Sequence, residues 1–224
     1  MAKAILNGQE IFGNVHLGEG GSASPTFSET VLCDNSSKAS TFTLSDSMSN
    51  YDIIVFKTHN AGIDLYCEFI TTPTLISQMF TLTNNGIMFN EPDSNQYCDY
   101  KVNGNTFTRY GQRNVDVVEV RGLNCTNKTV TETVIYLAPS LNSTSGVSVS
   151  GTGLLDYDYI FFSGNADAWD DTAIYPTPAQ PKSCFGVETI CVMTTSYYYI
   201  ARTYIRDTEI WGGRPLRITG IKFT

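Results

Sequence analysis

Tyr51-Asp52-Ile53-Ile54-Val55-Phe56 is a run of β-branched and aromatic residues, and Tyr157-Asp158-Tyr159-Ile160-Phe161-Phe162 repeats it. Such a run, bounded by turn formers, reads as a strand buried on both faces or nearly so. Each copy follows a short alternating segment, Phe42-Thr43-Leu44-Ser45 in one case and Val147-Ser148-Val149-Ser150 in the other. Each is trailed by a polar loop with Asn-Ala, at Asn60-Ala61 and Asn165-Ala166. One strand stated twice in the same setting predicts a duplicated domain.

The flanks extend the match. Ser28-Glu29-Thr30-Val31-Leu32 opens the first copy and Thr131-Glu132-Thr133-Val134-Ile135 the second; Val120-Arg121-Gly122-Leu123 and Ile218-Thr219-Gly220-Ile221 close them. Short apolar runs separated by Asn/Gly turns at regular spacing indicate antiparallel β-sandwiches. The fold expected is all-β, with two tandem related jelly-roll-like sandwiches over 28–127 and 128–224, preceded by an arm and linker over 1–27. Within the first copy, Leu65–Ile70, Ile76–Leu82, Ile87–Phe89, Tyr97–Val102 and Thr106–Tyr110 read as strands. In the second, Glu188–Arg202 reads as two strands with a turn near Thr195-Ser196.

The arm places Ile5 and Leu6 before an Asn7-Gly8 turn, with Ile11, Phe12 and Val15 beyond it. Asn-Gly between apolar residues signals a hairpin. So small a hairpin needs a partner surface, and on its Gly/Ser-rich tether it reads either as an attachment segment or as an ordinary first strand.

Lys+Arg number 14 against Asp+Glu 22, a formal charge of −8. That balance argues against a nucleic acid as partner. No run is long and apolar enough to insert in a membrane, and the first residues lack the apolar core of a signal peptide. Synthesis in a cytosol is therefore expected, the protein then staying there or leaving by lysis or inside a larger particle. The six cysteines show no CxxC pair, so thiols are the expectation, with a Cys33–Cys125 bridge as the one pairing considered.

No catalytic motif appears, and no cofactor or metal is expected; the chain reads as a non-enzyme. Asp167, Asp170 and Asp171, with Trp169 among them, form the densest acidic cluster. It reads as a solvated loop, or as oxygen ligands for Ca²⁺ without EF-hand spacing. Trp169 either covers the edge of its own core or stacks on a sugar; the loop holding His59 and Asn60 is its counterpart in the first copy. These six residues are the candidate ligand-binding set, and Ile5, Leu6, Ile11, Phe12 and Val15 the candidate attachment set.

Phe42-Thr43-Leu44-Ser45-Asp46-Ser47-Met48-Ser49-Asn50-Tyr51-Asp52 resembles the T-L-S-D-S-x-x-N-Y-D segment of bacteriophage tail-fibre and related appendage proteins. Leu216-Arg217-Ile218-Thr219-Gly220-Ile221-Lys222 is similar to their closing I-x-G-I-K strand, and Asn7–Val15 to a fibre N-terminus. The resemblance implies a virion structural protein made in the bacterial host, a homo-oligomer with trimer favoured. It further implies contacts to other virion proteins and to a host-surface glycan, and carries over no catalytic residue. Without a heptad stalk or collagen-like repeat, the chain suits a short tip, decoration or connector. The alternatives are a free carbohydrate-binding module and a glycan-degrading enzyme.

Overall fold

The computed structural model describes residues 5–6, 9–10, 25–90, 96–137, 146–148, 153–165, 174–176, 180–181, 189–196, 199–205, 209–211 and 215–224. The antiparallel pair β1 (Ile5–Leu6) and β2 (Gln9–Glu10) comes first, with Leu6 opposite Gln9. The following strands are β3 (Phe27–Asp34), β4 (Thr41–Thr43), β5 (Ile53–Asn60) and β6 (Leu65–Thr71). After helix α1 (Pro73–Thr83) come β7 (Gly86–Asn90), β8 (Tyr97–Asn103), β9 (Thr106–Arg113) and β10 (Val115–Cys125). The second half holds β11 (Val130–Leu137), β12 (Gly146–Ser148), β13 (Tyr159–Asn165), β14 (Ile174–Pro176) and β15 (Gln180–Pro181). It ends with β16 (Thr189–Ser196), β17 (Tyr199–Ile205), β18 (Glu209–Trp211) and β19 (Pro215–Phe223).

The strands pair antiparallel, and among the described residues none of the sheets closes into a barrel. In the first half the orders are β3-β10-β5-β6 and β4-β9-β8-β7. The two sheets face each other across one core. Ile54 and Phe56 come from one sheet; Phe42, Phe89, Tyr100 and Phe107 come from the other. Phe42 stacks on Phe107 at 5.0 Å, and Phe56 lies 4.8 Å from Phe89. In the second half the orders are β11-β19-β13-β14 and β12-β18-β17-β16.

The registers follow suit. β10 sets Val120 opposite Cys33 and Arg121 opposite Val31, skipping Leu32 as a bulge. β19 sets Ile218 opposite Tyr136 and Thr219 opposite Val134, skipping Ile135. The central pairings also agree: Gly122 opposite Ile54, and Gly220 opposite Ile160. Each half has a corner where a 3₁₀ turn, Met48–Asn50 or Leu154–Asp156, delivers a tyrosine onto a glycine. A Cβ on Gly122 would collide with the Tyr51 ring, and one on Gly220 with the Tyr157 ring. The next residue locks the corner. Asp52 Oδ2 accepts the Cys125 N–H at 2.8 Å, and Asp158 Oδ2 accepts the Phe223 N–H at 2.8 Å.

β5 is buried on both faces, as its composition predicts: Ile53, Ile54, Val55 and Phe56 are all within the interior. Ile54 and Phe56 fill the first sandwich, while Ile53 and Val55 point out of its back. Tyr159, Phe161, Ile221 and Phe223 of the second half cover that back, joined by Leu123, Ile70 and Leu75. Burying each such side chain is worth about 1.5–3 kcal/mol. The halves therefore pack back to back, with the chain crossing between them at 126–129 and Thr129 exchanging two backbone hydrogen bonds with Thr224.

Several expectations need correction. Ile76–Leu82 is not a strand but most of α1. The Thr72 hydroxyl caps the helix by accepting the Leu75 N–H at 3.1 Å, Pro73 opens it, and Asn84 ends it at φ 49°. Leu75, Ile76 and Met79 are buried at helical spacing. Tyr51 and Asp52 precede the strand as corner residues. β16 runs on through Thr195 and Ser196, and Ser196 pairs with Tyr199 at the start of β17; residues 197–198 lie outside the described residues. Cys33, Cys67, Cys98 and Cys125 form no disulfide. Cys33 lies opposite Val120 while Cys125 lies opposite Phe27, at the other end of β3. Their separation of roughly 20 Å along a strand rules out the bridge considered above.

The corner makes a sharp prediction. Gly122→Ala should destabilise the protein by about 1–3 kcal/mol through overpacking. Adding Tyr51→Ala should make the double variant less destabilised than the sum of the singles, as measured by urea unfolding.

The back of the first sandwich carries a second one. Arg121 is buried and holds Glu68, Glu29 at 3.2 Å and Glu119 at 3.1 Å. Burial pushes the Glu68 carboxyl up despite Arg121 beside it. Neutral Glu68 thus favours the fold at low pH, and that contribution is lost as pH rises through the raised pKa. Arg121→Met should cost about 3–5 kcal/mol at pH 7 by stranding three carboxylates. The deficit should shrink in acid as the raised Glu68 carboxyl takes up its proton; thermal unfolding at pH 7 and at pH 4 checks this.

Candidate binding surface at the His59 end

The β3–β4 loop, the β5–β6 turn and the β9–β10 junction meet at one end of the first sandwich. Asn35 organises the first. Its Nδ2 donates to the Val117 carbonyl at 2.8 Å and its Oδ1 accepts the Ala39 N–H at 3.0 Å. The second turns tightly: Asn60 Oδ1 accepts the Gly62 N–H at 2.8 Å, and Ala61 N–H donates to the Asn114 carbonyl at 2.8 Å. Lys38, Asp64 and Asn114 all have left-handed backbones, at φ 57°, 52° and 59°.

His59 sits where these loops converge, only 7% exposed. It and Asn60 are not loop residues, as their sequence setting suggested, but the last two of β5, and both are buried. The imidazole is held from both sides. Nδ1 lies 2.7 Å from Lys38 Nζ, and Nε2 lies 2.9 Å from Asp64 Oδ1. An ammonium can only donate, so Nδ1 accepts and the ring proton belongs on Nε2, donated to Asp64. The ring also packs on Tyr66 at 4.4 Å, and Lys57 Nζ lies 5.2 Å from the other ring's centroid. Outside this polar centre Ile63 is 63% and Tyr66 54% exposed, with Leu65 between them.

Nearby, Asp116 accepts from Arg109 and, at 2.8 Å, from Gln112 Nε2. Neither histidine nitrogen touches a hydroxyl or thiol, so the cluster orders a surface without assembling a nucleophile and base. Among the described residues no three His, Cys, Asp or Glu side chains converge to hold a metal ion. A cleft of about 440 Å³ opens where the halves meet, lined by Tyr51, Asp52, Ser77 and Glu132 among others. Its two carboxylates are engaged, Asp52 by the Cys125 N–H and Glu132 by the Thr72 hydroxyl at 2.6 Å.

Of the residues singled out by sequence, only His59 and Asn60 are placed in this cluster. Asp167, Trp169, Asp170 and Asp171 lie outside the described residues, in the segment between β13 and β14. In the arm, Ile5 and Leu6 form β1, while Ile11, Phe12 and Val15 lie outside the described residues. Sequence reading missed Lys38, Asp64 and Tyr66. Asp64 and Tyr66 are legible as the turn after Asn60, but nothing local ties Lys38 to a histidine on another strand. No protein-family description matches the chain, and neither does any characterised protein or solved structure.

Removing the keystone of this end tests its rigidity. Asn35→Ala leaves the buried Val117 carbonyl without that donor and should cost about 1–3 kcal/mol. It should also raise amide exchange across residues 36–40 before the rest of the sandwich unfolds.

Proposed function

We propose that this chain is a non-enzymatic structural protein of a phage particle: a short tail tip, decoration or connector. In this reading it consists of two tandem copies of one jelly-roll-like sandwich. The observation that carries the reading is the agreement between the halves. Strand order, both edge-strand bulges, the tyrosine–glycine corner and its aspartate lock all recur. Such a unit is built for rigid packing, and the two pack through matching faces.

The fibre-like segment gains a physical meaning in this light. Asp46 accepts the Ser47 N–H at 2.7 Å and Asn50 Nδ2 at 2.8 Å, and Ser47 caps the 3₁₀ turn that presents Tyr51. The residues that resemble phage appendage proteins are thus the ones that build the corner, which supports kinship in architecture. The β1–β2 hairpin serves as the attachment element. The ordered His59 end, rimmed by Ile63, Leu65 and Tyr66, serves as a contact surface for a neighbouring virion protein or a host-surface glycan. Several copies acting together make weak single contacts useful.

Self-association is the decisive property. Light scattering on the purified chain should give the mass of a homo-oligomer, with a trimer expected. A strict monomer up to about 100 µM that also binds a defined sugar on a glycan array would replace this reading with a free carbohydrate-binding module.

A further inference from the structure

We infer that Lys38, His59 and Asp64 form a proton-operated latch that fixes the β3–β4 loop at neutral pH and releases it in mild acid. The inference rests on these contacts alone and holds whatever the chain assembles with. The 2.7 Å approach of Lys38 Nζ to His59 Nδ1 requires an imidazole lone pair at Nδ1. Protonating the ring removes that lone pair and sets two cations against each other. The ring itself has reason to stay: Nε2–H remains bonded to Asp64, now with a full ion pair, and Tyr66 stacks on it more favourably as a cation. Lys38 has reason to leave. Its backbone is held in the left-handed region at φ 57°, where an ordinary side chain is strained, and one of its anchors is lost.

The groups around the ring do not cancel this change. Asp64 faces it from the β5–β6 turn, and Tyr66 from β6. Asp116 stands opposite it on β10, but its carboxylate is taken by Arg109 and Gln112. Lys57 lies two residues before it on the same strand, over the Tyr66 ring. The nearest acid, Asp64, has its side chain 89% exposed, so it can follow the ring without holding the lysine. The loop's other tethers are the Lys38 N–H to the Asn35 carbonyl at 2.8 Å, the Asn35 side-chain bonds and the Arg109 N–H to the Ser40 carbonyl at 2.7 Å; they hold the ends of the loop and confine the release to residues 36–39.

The full chain should be studied between pH 8 and pH 5. NMR would follow the His59 ring, and hydrogen exchange the amides of 36–40, corrected for intrinsic pH dependence. The expected result is at least a tenfold rise in loop exchange whose midpoint coincides with that of ring protonation. Lys38→Met should leave the loop loose at every pH, and His59→Gln should abolish the pH dependence. Three outcomes overturn the latch: a ring that stays neutral to pH 5, a ring that titrates while loop exchange stays flat, or a His59→Gln variant that keeps the same pH response.

Discussion

A strand with apolar side chains on both faces cannot end at the surface of a two-layer sandwich. β5 has this character: Ile54 and Phe56 are consumed by the first core, leaving Ile53 and Val55 to be covered from behind. β10 shares the burden, with Val120 turned in and Leu123 turned back. An uncovered patch of this kind would drive aggregation. The second half of the chain resolves the problem with its own apolar strand, since Tyr159 and Phe161 of β13 join the same cluster as Ile53 and Val55. Each half is thus the lid of the other, and the tight connection at 126–129 makes the pairing intramolecular.

This mutual covering explains why the fold was legible where it was. A continuous apolar run, as at Ile53–Phe56, signals two-sided burial without further context, and its repetition at Tyr159–Phe162 points to a second such strand. The Asn-Gly pairs at 7–8 and 103–104 each lie between two strands that pair with each other, β1 with β2 and β8 with β9. α1 failed for an equally physical reason. Ile76, Met79 and Phe80 suit a strand by composition, and only the Thr72-Pro73 start and the Asn84-Asn85-Gly86 stop betray a helix. In a chain full of strands that punctuation was outweighed. The corner was hidden as well, because Tyr51 and Gly122 are far apart in sequence and neither is unusual alone.

The His59 end was legible only in part, since its parts come from three loops. A histidine followed by Asn-Ala-Gly is easily read as a loop residue. Register shows it instead as a buried strand end whose polarity must be satisfied. Lys38 and Asp64 supply that satisfaction, each from a left-handed backbone position that a glycine or asparagine would occupy more comfortably. Accepting such conformations to complete one hydrogen-bonded ring marks this end as a place where order is needed, in contrast to the solvated tip of an ordinary turn.

The two halves match in their apolar contacts and differ in their polar ones. Where the first half places Arg121 among three glutamates, the matching position of the second is Thr219, and a buried arginine appears two residues earlier at Arg217. Arg217 is 0% exposed, and burial pulls its guanidinium down while Glu132 nearby pushes it back up. A guanidinium buried in a poorly screened interior needs carboxylates around it, and Arg121 has three within reach. Symmetry suits the oily part of the contact, and asymmetry suits the charged part.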